Sequence, residues 1–413
     1  MARTSLFLVA ILATGPSVGL ADPLDDQLAS RLLLWRSHAY NCKAPSGFEF
    51  PSGEPGSGPP GCEDGDMVLF AGLLCSVGES YACETVRRSQ KLDAGDDFGR
   101  WYRSPRRMET GNDADQDGRT NENEPEGTDL DGDGRANEGE WHTFSYDMAL
   151  GVMLYLVATS DKESGQRWWD WLHSYTPCIT GNKPECLTFV GGFAGVPRYP
   201  FAGDPRFCAP PSSVKEWEIG KKQACTLRPP RFAAAIAESA GLGPFLGSDY
   251  AILAEVGRHL GLQASPGRFA DELAAIGDTA PQKFLASARA NDEGYSEHIS
   301  AVSNYLMQRM GRNDPDLAMA AAILNCKKPP LLERLVLDPA KCTPKDPENA
   351  FFLYLRDGPT SEAKQSVLDR CPAPGRLPVW RGDWIFQRHG PDLTWKHSMY
   401  WDCIFMARLL GIR

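Results

Sequence analysis

The sequence predicts an all-α fold, a toroid of helical hairpins, on three observations. Apolar residues recur at helical spacing in about a dozen stretches. Alternation of period two, the mark of a half-buried strand, is scarce. Helices that are apolar nearly all round are followed by more polar, amphipathic ones. That alternation is what a closed arrangement of hairpins needs, with buried helices inside and amphipathic ones outside.

The elements follow in chain order. Residues 24–40 place Leu24, Leu28, Leu32 and Trp35 on one helical face. Residues 66–77 (DMVLFAGLLCSV) are apolar on every side and predict a buried helix. Residues 145–159 (SYDMALGVMLYLVAT) repeat that character and the same Asp-Met-x-Leu opening. The amphipathic stretch 161–175 follows after a tight turn. Residues 231–240, 248–262, 267–275 and 281–290 read as further helices, as do 296–310, 314–325, 348–356 and 361–370. The chain ends in 396–410 (KHSMYWDCIFMARLL), again apolar on most faces. Short strands are allowed only in 186–203 and 379–387.

Length and composition bound the function. The chain has 413 residues, 42% hydrophobic and 23% charged, the usage of a globular protein with a sizeable core. The net charge of −11 argues against nucleic acid or an anionic membrane surface as a partner. Nearly all of that charge sits in one place. Residues 109–140 hold 12 carboxylates against Arg119 and Arg135, and the rest of the chain is close to neutral.

Residues 1–21 read as a signal peptide. Arg3 supplies the basic region, Leu6 to Ala13 the apolar run, and Gly19-Leu20-Ala21 the small residues of a cleavage site. The apolar run is too short to span a bilayer, and no later segment is long enough. A mature chain 22–413 is expected as one domain, secreted or periplasmic, interrupted by insertions at 92–144 and 177–230. The 12 cysteines fit an oxidising compartment. They fall as near neighbours: 42 with 62, 75 with 83, 178 with 186, 208 with 225, 326 with 342, and 371 with 403. Sequential pairing is the expected connectivity, and an exchange among neighbours stays open. No C-x-x-C pair exists to suggest zinc.

The strongest motif lies in the first insertion. Residues 113–124 read D-A-D-Q-D-G-R-T-N-E-N-E and residues 129–140 read D-L-D-G-D-G-R-A-N-E-G-E. Calcium takes six to eight oxygens, and a loop wrapped round it turns alternate side chains inward. Asp113, Asp115 and Asp117 occupy positions 1, 3 and 5, and Gly118 permits the sharp turn. The Arg119 carbonyl, Asn121 and a bidentate Glu124 complete the first set. Asp129, Asp131, Asp133, Arg135, Asn137 and Glu140 repeat it. These loops resemble EF-hand calcium loops. The resemblance implies two bound Ca2+ ions. Position 8, usually branched and apolar, is Thr120 and Ala136, and only four residues separate the loops. They look like the tandem loops of secreted, calcium-stabilised proteins, which makes the ions structural.

No phosphate-cradling loop, nucleophile elbow or H-E-x-x-H motif is present. What remains is carboxylates beside aromatic residues. Asp64 and Asp66 precede the first buried helix, Asp147 opens the second, and Glu297 and His298 begin the stretch 296–310. An aspartate at a helix start is by default a cap. Asp66 and Asp147 are nonetheless the leading candidates for an acid–base pair, because inner helices of a toroid converge. A helix start suits the base or nucleophile, and Glu297, which follows Tyr295 and precedes an apolar helix, is the reserve for the acid. Trp101, Tyr102, Arg103, His298, Trp384 and Trp401, with Asp64, are the substrate-binding candidates, since aromatic faces stack on sugar rings. Trp168, Trp169 and Trp171 crowd one helix, and the expectation is that some of them serve a loop or the surface.

By this alternation and aromatic content, residues 24–410 resemble the six-hairpin α/α toroids of secreted polysaccharide hydrolases and lyases. The resemblance implies a groove at one end, lined by acidic residues, and a polysaccharide or oligosaccharide substrate. Three readings stay open: a glycoside hydrolase, a lyase acting on a uronic-acid glycan, and a non-enzymatic glycan-binding or envelope protein.

Overall fold

The computed structural model describes residues 22–39, 41–51, 67–94, 98–110, 146–175, 246–266, 270, 273, 280–290, 295–329, 337–374 and 399–413. These residues are mostly helical. Predicted helix 231–240, most of 267–275, and the strands allowed at 186–203 and 379–387 lie outside the described residues.

Helix α1 (Pro23–His38) starts at Asp22, whose side chain accepts a hydrogen bond from Leu24 N–H, with Pro23 in the first turn. A β-hairpin follows, β1 (Asn41–Lys43) antiparallel to β2 (Glu49–Pro51) with Cys42 opposite Phe50. The sequence pattern does not predict it, because three-residue strands are too short to establish a period. Helices α2 (Met67–Ser76) and α3 (Ser80–Arg88) form a hairpin, and the short α4 (Pro105–Thr110) packs against α3. Helices α5 (Tyr146–Thr159) and α6 (Lys162–Tyr175) form the next hairpin.

Beyond them come α7 (Leu246–Leu260), α8 (Ala280–Ala290), α9 (Tyr295–Arg309) and α10 (Pro315–Leu324). The last three are α11 (Ala350–Asp357), α12 (Ser361–Arg370) and α13 (Met399–Leu409). Tight turns join α9 to α10 and α11 to α12. Each contains a glycine at positive φ, Gly311 at 77° and Gly358 at 78°, where a side chain would be strained. The α5–α6 turn uses Ser160 in the left-handed region instead.

Among the described helices, α2 and α5 pack most closely. A Cβ at Gly151 would sit 2.2 Å from the Val68 carbonyl oxygen, and one at Gly72 would sit 2.1 Å from the Gly151 oxygen. Backbone therefore rests on backbone, which only glycine permits. Every residue of α2 is buried as a result of this and of packing on α3 and α13.

A second centre is Tyr305 of α9. Its ring packs edge-on against Phe351 and Tyr354 of α11 and Phe405 of α13, with centroids 5.9, 6.3 and 6.0 Å away. Its hydroxyl is paired with Ser76 Oγ of α2 at 2.9 Å. Four helices thus meet on one residue. Helix α1 packs on both α12 and α13, and α13 packs on α2, so the first and last helices are joined. Trp35 Nε1–H donates to the Pro372 carbonyl at 2.9 Å across this seam.

The surface role expected for part of the Trp168–Trp171 cluster is not found. The three residues are 0%, 5% and 5% exposed. The neighbouring helix makes the room: a Cβ at Gly257 of α7 would collide with the Trp169 ring at 2.1 Å, so the indole lies in a notch that glycine leaves open.

Two outcomes follow from this packing. Gly151→Ala forces α2 and α5 apart and should lower stability by about 1–3 kcal/mol or more. Gly165→Ala, whose added Cβ would meet only Leu262 side-chain carbons at 3.3 Å, should be far milder in the same denaturant titration. The second concerns the α5–α6 turn. Burial pushes the Asp161 carboxyl up, but the Tyr155 hydroxyl donating at 2.5 Å and hydrogen bonds from Ser164 outweigh it and hold it below 3.8. A lowered carboxyl stabilises the fold above its unfolded value and loses that contribution as pH falls through the folded one. Tyr155→Phe should therefore cost stability at pH 7, and the gap from wild type should narrow below pH 3.8 in acid-unfolding curves.

Candidate functional site

The described residues assemble one site of unusual character at the start of α9. Glu297 lies in the first turn of that helix and is 1% exposed. Its Oε2 is 2.6 Å from Lys345 Nζ, whose side chain is 8% exposed. His298, beside it, is buried as well. A helix N-terminus favours a carboxylate, and the ammonium compensates the charge that burial penalises. This arrangement suits Glu297 as an anion, the form that a base or nucleophile requires.

Lys345 is carried by a strap rather than by a helix. Residues 342–346 run antiparallel to 325–327. Lys327 N–H donates to the Thr343 carbonyl at 2.8 Å and Lys345 N–H to the Asn325 carbonyl at 2.7 Å. Asn325 Oδ1 accepts from Asp346 N–H at 3.0 Å. The Cys326–Cys342 disulfide closes the strap. Asp346 is clamped in turn by the Arg370 guanidinium of α12, with Nη1 to Oδ2 at 2.6 Å. Asn349 then caps α11 through Phe351 N–H at 3.1 Å and Phe352 N–H at 3.3 Å.

The other sequence candidates fall as follows. Trp101 and Tyr102 are buried. Trp101 pairs by backbone with Gln90 and stands edge-on to Tyr155 at 5.9 Å, while the Arg100 guanidinium covers the Tyr102 ring at 4.7 Å. Both rings serve the interior. Trp401 is buried in the first turn of α13 and tilted against Tyr81 at 5.6 Å. Arg103 is half-buried, and its carbonyl accepts from Val68 N–H at 2.9 Å, tying the loop to the start of α2. Asp147 falls in the first turn of α5. Asp64, Asp66 and Trp384 lie outside the described residues. So do both predicted calcium loops: Asp113, Asp115, Asp117, Arg119, Glu124, Asp129, Asp131, Asp133, Arg135 and Glu140. Among the described residues no group of three His, Cys, Asp or Glu side chains is placed to hold a metal ion.

Two buried carboxylates escaped the sequence reading. Glu79 at the start of α3 accepts from Arg36 of α1 at 2.5 Å and lies 3.0 Å from Arg408 of α13, locking three helices. Glu255 of α7 takes Arg312 at 3.1 Å and Arg258. Lys345 escaped too. Its only sequence signal is its place three residues after Cys342, the second member of a local cysteine pair.

Three disulfides have both partners among the described residues, Cys75–Cys83, Cys326–Cys342 and Cys371–Cys403, each as sequential pairing predicts. Cys42 is also in a disulfide. Among the described residues no helix is long and apolar enough to cross a membrane. The chain matches no protein-family model, no curated protein and no solved structure.

The pair's energetics are directly measurable. Lys345→Met strands a buried carboxylate and should cost about 3–5 kcal/mol, whereas Lys345→Met with Glu297→Gln should cost clearly less than the sum of the two single changes. A double-mutant cycle in urea reads the difference.

Proposed function

We propose that this protein is an exported glycoside hydrolase, built as a closed α/α ring and stabilised by two calcium ions in the 92–144 insertion. The observation that carries the reading is Glu297, a carboxylate kept dry and charge-compensated at the start of a helix. The ring is supported by the order of helix packing. Helices α2, α9, α11 and α13 converge on Tyr305, hairpin partners flank them, and α1 packs on α12 and α13. Helices α2 and α5, the first preceded by Asp66 and the second with Asp147 in its first turn, touch in their first halves, where Gly151 meets Val68. In this reading the carboxylates gather at one mouth of the ring.

Glycoside hydrolysis needs one carboxyl group to protonate the leaving oxygen and one carboxylate to activate water or attack the sugar. With Lys345 beside it, Glu297 fits the second role and not the acid's role expected from the sequence, because an adjacent ammonium favours the charged carboxylate. The acid then falls to Asp66 or Asp147. Calcium would neutralise the acidic insertion, where roughly ten net negative charges would otherwise repel one another.

The lyase reading would call on Arg100, Arg103, Arg106 and Arg107, close together in the chain, to neutralise a uronate. Arg100, Arg106 and Arg107 are buried, as Glu297 is, so the reaction product and not burial separates the two readings.

The test is a polysaccharide panel incubated with the mature protein, with and without chelator. Hydrolysis should release new reducing ends without an unsaturated product. Glu297→Gln, and whichever of Asp66→Asn or Asp147→Asn removes the acid, should lower turnover at least ~10²-fold in folded protein. Chelation should lower the melting temperature and expose the 113–140 segment to protease. An unsaturated uronate product would replace this reading with the lyase. Retained glycan binding without any cleavage would make the protein a binding module.

A further inference from the structure

The Glu297–Lys345 pair and the Cys326–Cys342 disulfide are parts of one mechanical unit. Lys345 reaches Glu297 from a strap that the fold holds by three kinds of contact. Two are polar: the backbone bonds of Lys327, Lys345 and Asn325, and the Arg370 clamp on Asp346. The third is covalent, and it lies one residue from Asn325 on one strand and three from Lys345 on the other. Cys326 is fully buried while Cys342 is half-exposed, so the bridge meets solvent on the strap side. Cys371–Cys403, by contrast, is buried at both ends.

We infer that Cys326–Cys342 is a redox latch on the buried Glu297–Lys345 pair. The oxidised bridge holds Lys345 against the carboxylate, and reduction releases the strap and with it the charge compensation of Glu297. The chemistry is ordinary thiol–disulfide exchange. The thiolate of an external dithiol attacks Cys342 Sγ, the S–S bond breaks, and the second thiol of the reagent resolves the mixed disulfide. Two electrons and two protons pass to the protein, which keeps Cys326 and Cys342 as thiols, and the reagent leaves as a cyclic disulfide. In an exported protein the latch closes only where disulfides form, so the anionic site is assembled after export and not before. Lys345 is then a positioning residue for Glu297. The inference concerns the same site as the proposed hydrolase, but its readout is thiol content and does not depend on hydrolysis.

Coupling between two sites is reciprocal: if the bridge favours the ion pair, the ion pair favours the bridge by the same factor. The experiment equilibrates the full mature protein, wild type and Lys345→Met, in buffers of graded reduced-to-oxidised dithiothreitol. Free thiols are alkylated, and each bridge is quantified by peptide mass spectrometry while circular dichroism monitors the fold. Cys326–Cys342 in Lys345→Met should be half-reduced at a ratio ~10-fold lower than in wild type, within the usual range of coupling between linked sites. Cys75–Cys83 and Cys371–Cys403 should not move. Equal midpoints for Cys326–Cys342 in the two proteins overturn the inference. So does a common shift of all three bridges, which would report general loosening. Should Lys345→Met not fold, Glu297→Gln keeps the shape and the oxygen acceptor, and the same two outcomes decide. Absence of glycan cleavage in the panel would refute the hydrolase and leave the latch standing. Equal midpoints would do the reverse.

Discussion

The crossing of α2 and α5 at Gly72 and Gly151 is the constraint on which the rest of the helical packing depends. Two glycines let two backbones touch, and no side chain can substitute for either without driving the helices apart. Because these helices approach so closely, their remaining side chains project outward into α3, α13, α6, α7 and α9. That is why both segments are apolar on every face. A helix with neighbours all round has no polar side to keep. Ser76, at the end of α2, then meets Tyr305, and Tyr305 gathers α11 and α13. The chain of contact runs from one glycine pair to the carboxy-terminal helix.

Polar groups in this interior are placed as joints between elements. Glu79 joins α1, α3 and α13, Glu255 joins α7 to the α9–α10 turn, and Glu297 joins α9 to the strap before α11. Each is a carboxylate beside a cation, as burial demands. They differ in setting. The arginine partners of Glu79 and Glu255 stay partly exposed, whereas Lys345 and Glu297 are both enclosed. An enclosed ion pair is a poor source of stability against an apolar alternative, which is why the proposed function is built on this one. Among these carboxylate–cation pairs, this asymmetry, and not the aromatic content, sets the start of α9 apart. Most of the aromatic candidates turned out to fill the interior: Trp101, Tyr102, Trp168, Trp169, Trp171 and Trp401 are all buried.

Much of the fold was legible along the chain. Helices at 24–40, 145–159, 161–175, 248–262, 281–290, 296–310, 314–325, 348–356, 361–370 and 396–410 appear within a few residues of their expected ends, because apolar period and capping residues such as Asn349 and Thr360 are local signals. The three described disulfides were legible for a related reason: short sequence separation limits the partners a cysteine can reach. The β-hairpin 41–51 was not, since its strands are too short to show a period. Of the site, Glu297 and His298 were legible as polar residues opening an apolar helix. Lys345 was not, because 48 residues separate it from Glu297 and only a folded strap brings it back.

The sequence by itself determined the helical class, the positions of the described helices and the three described cysteine pairs. Each depends on residues within one or two turns of each other or on a short loop, so local chemistry is enough. Only the tertiary structure decided which carboxylates are enclosed, which cation meets each one, and which tryptophans face inward. Those outcomes depend on what a second helix presents, such as the notch at Gly257 that takes in Trp169 or the strap that delivers Lys345. Burial is a property of neighbours, and neighbours distant in sequence leave no periodic trace.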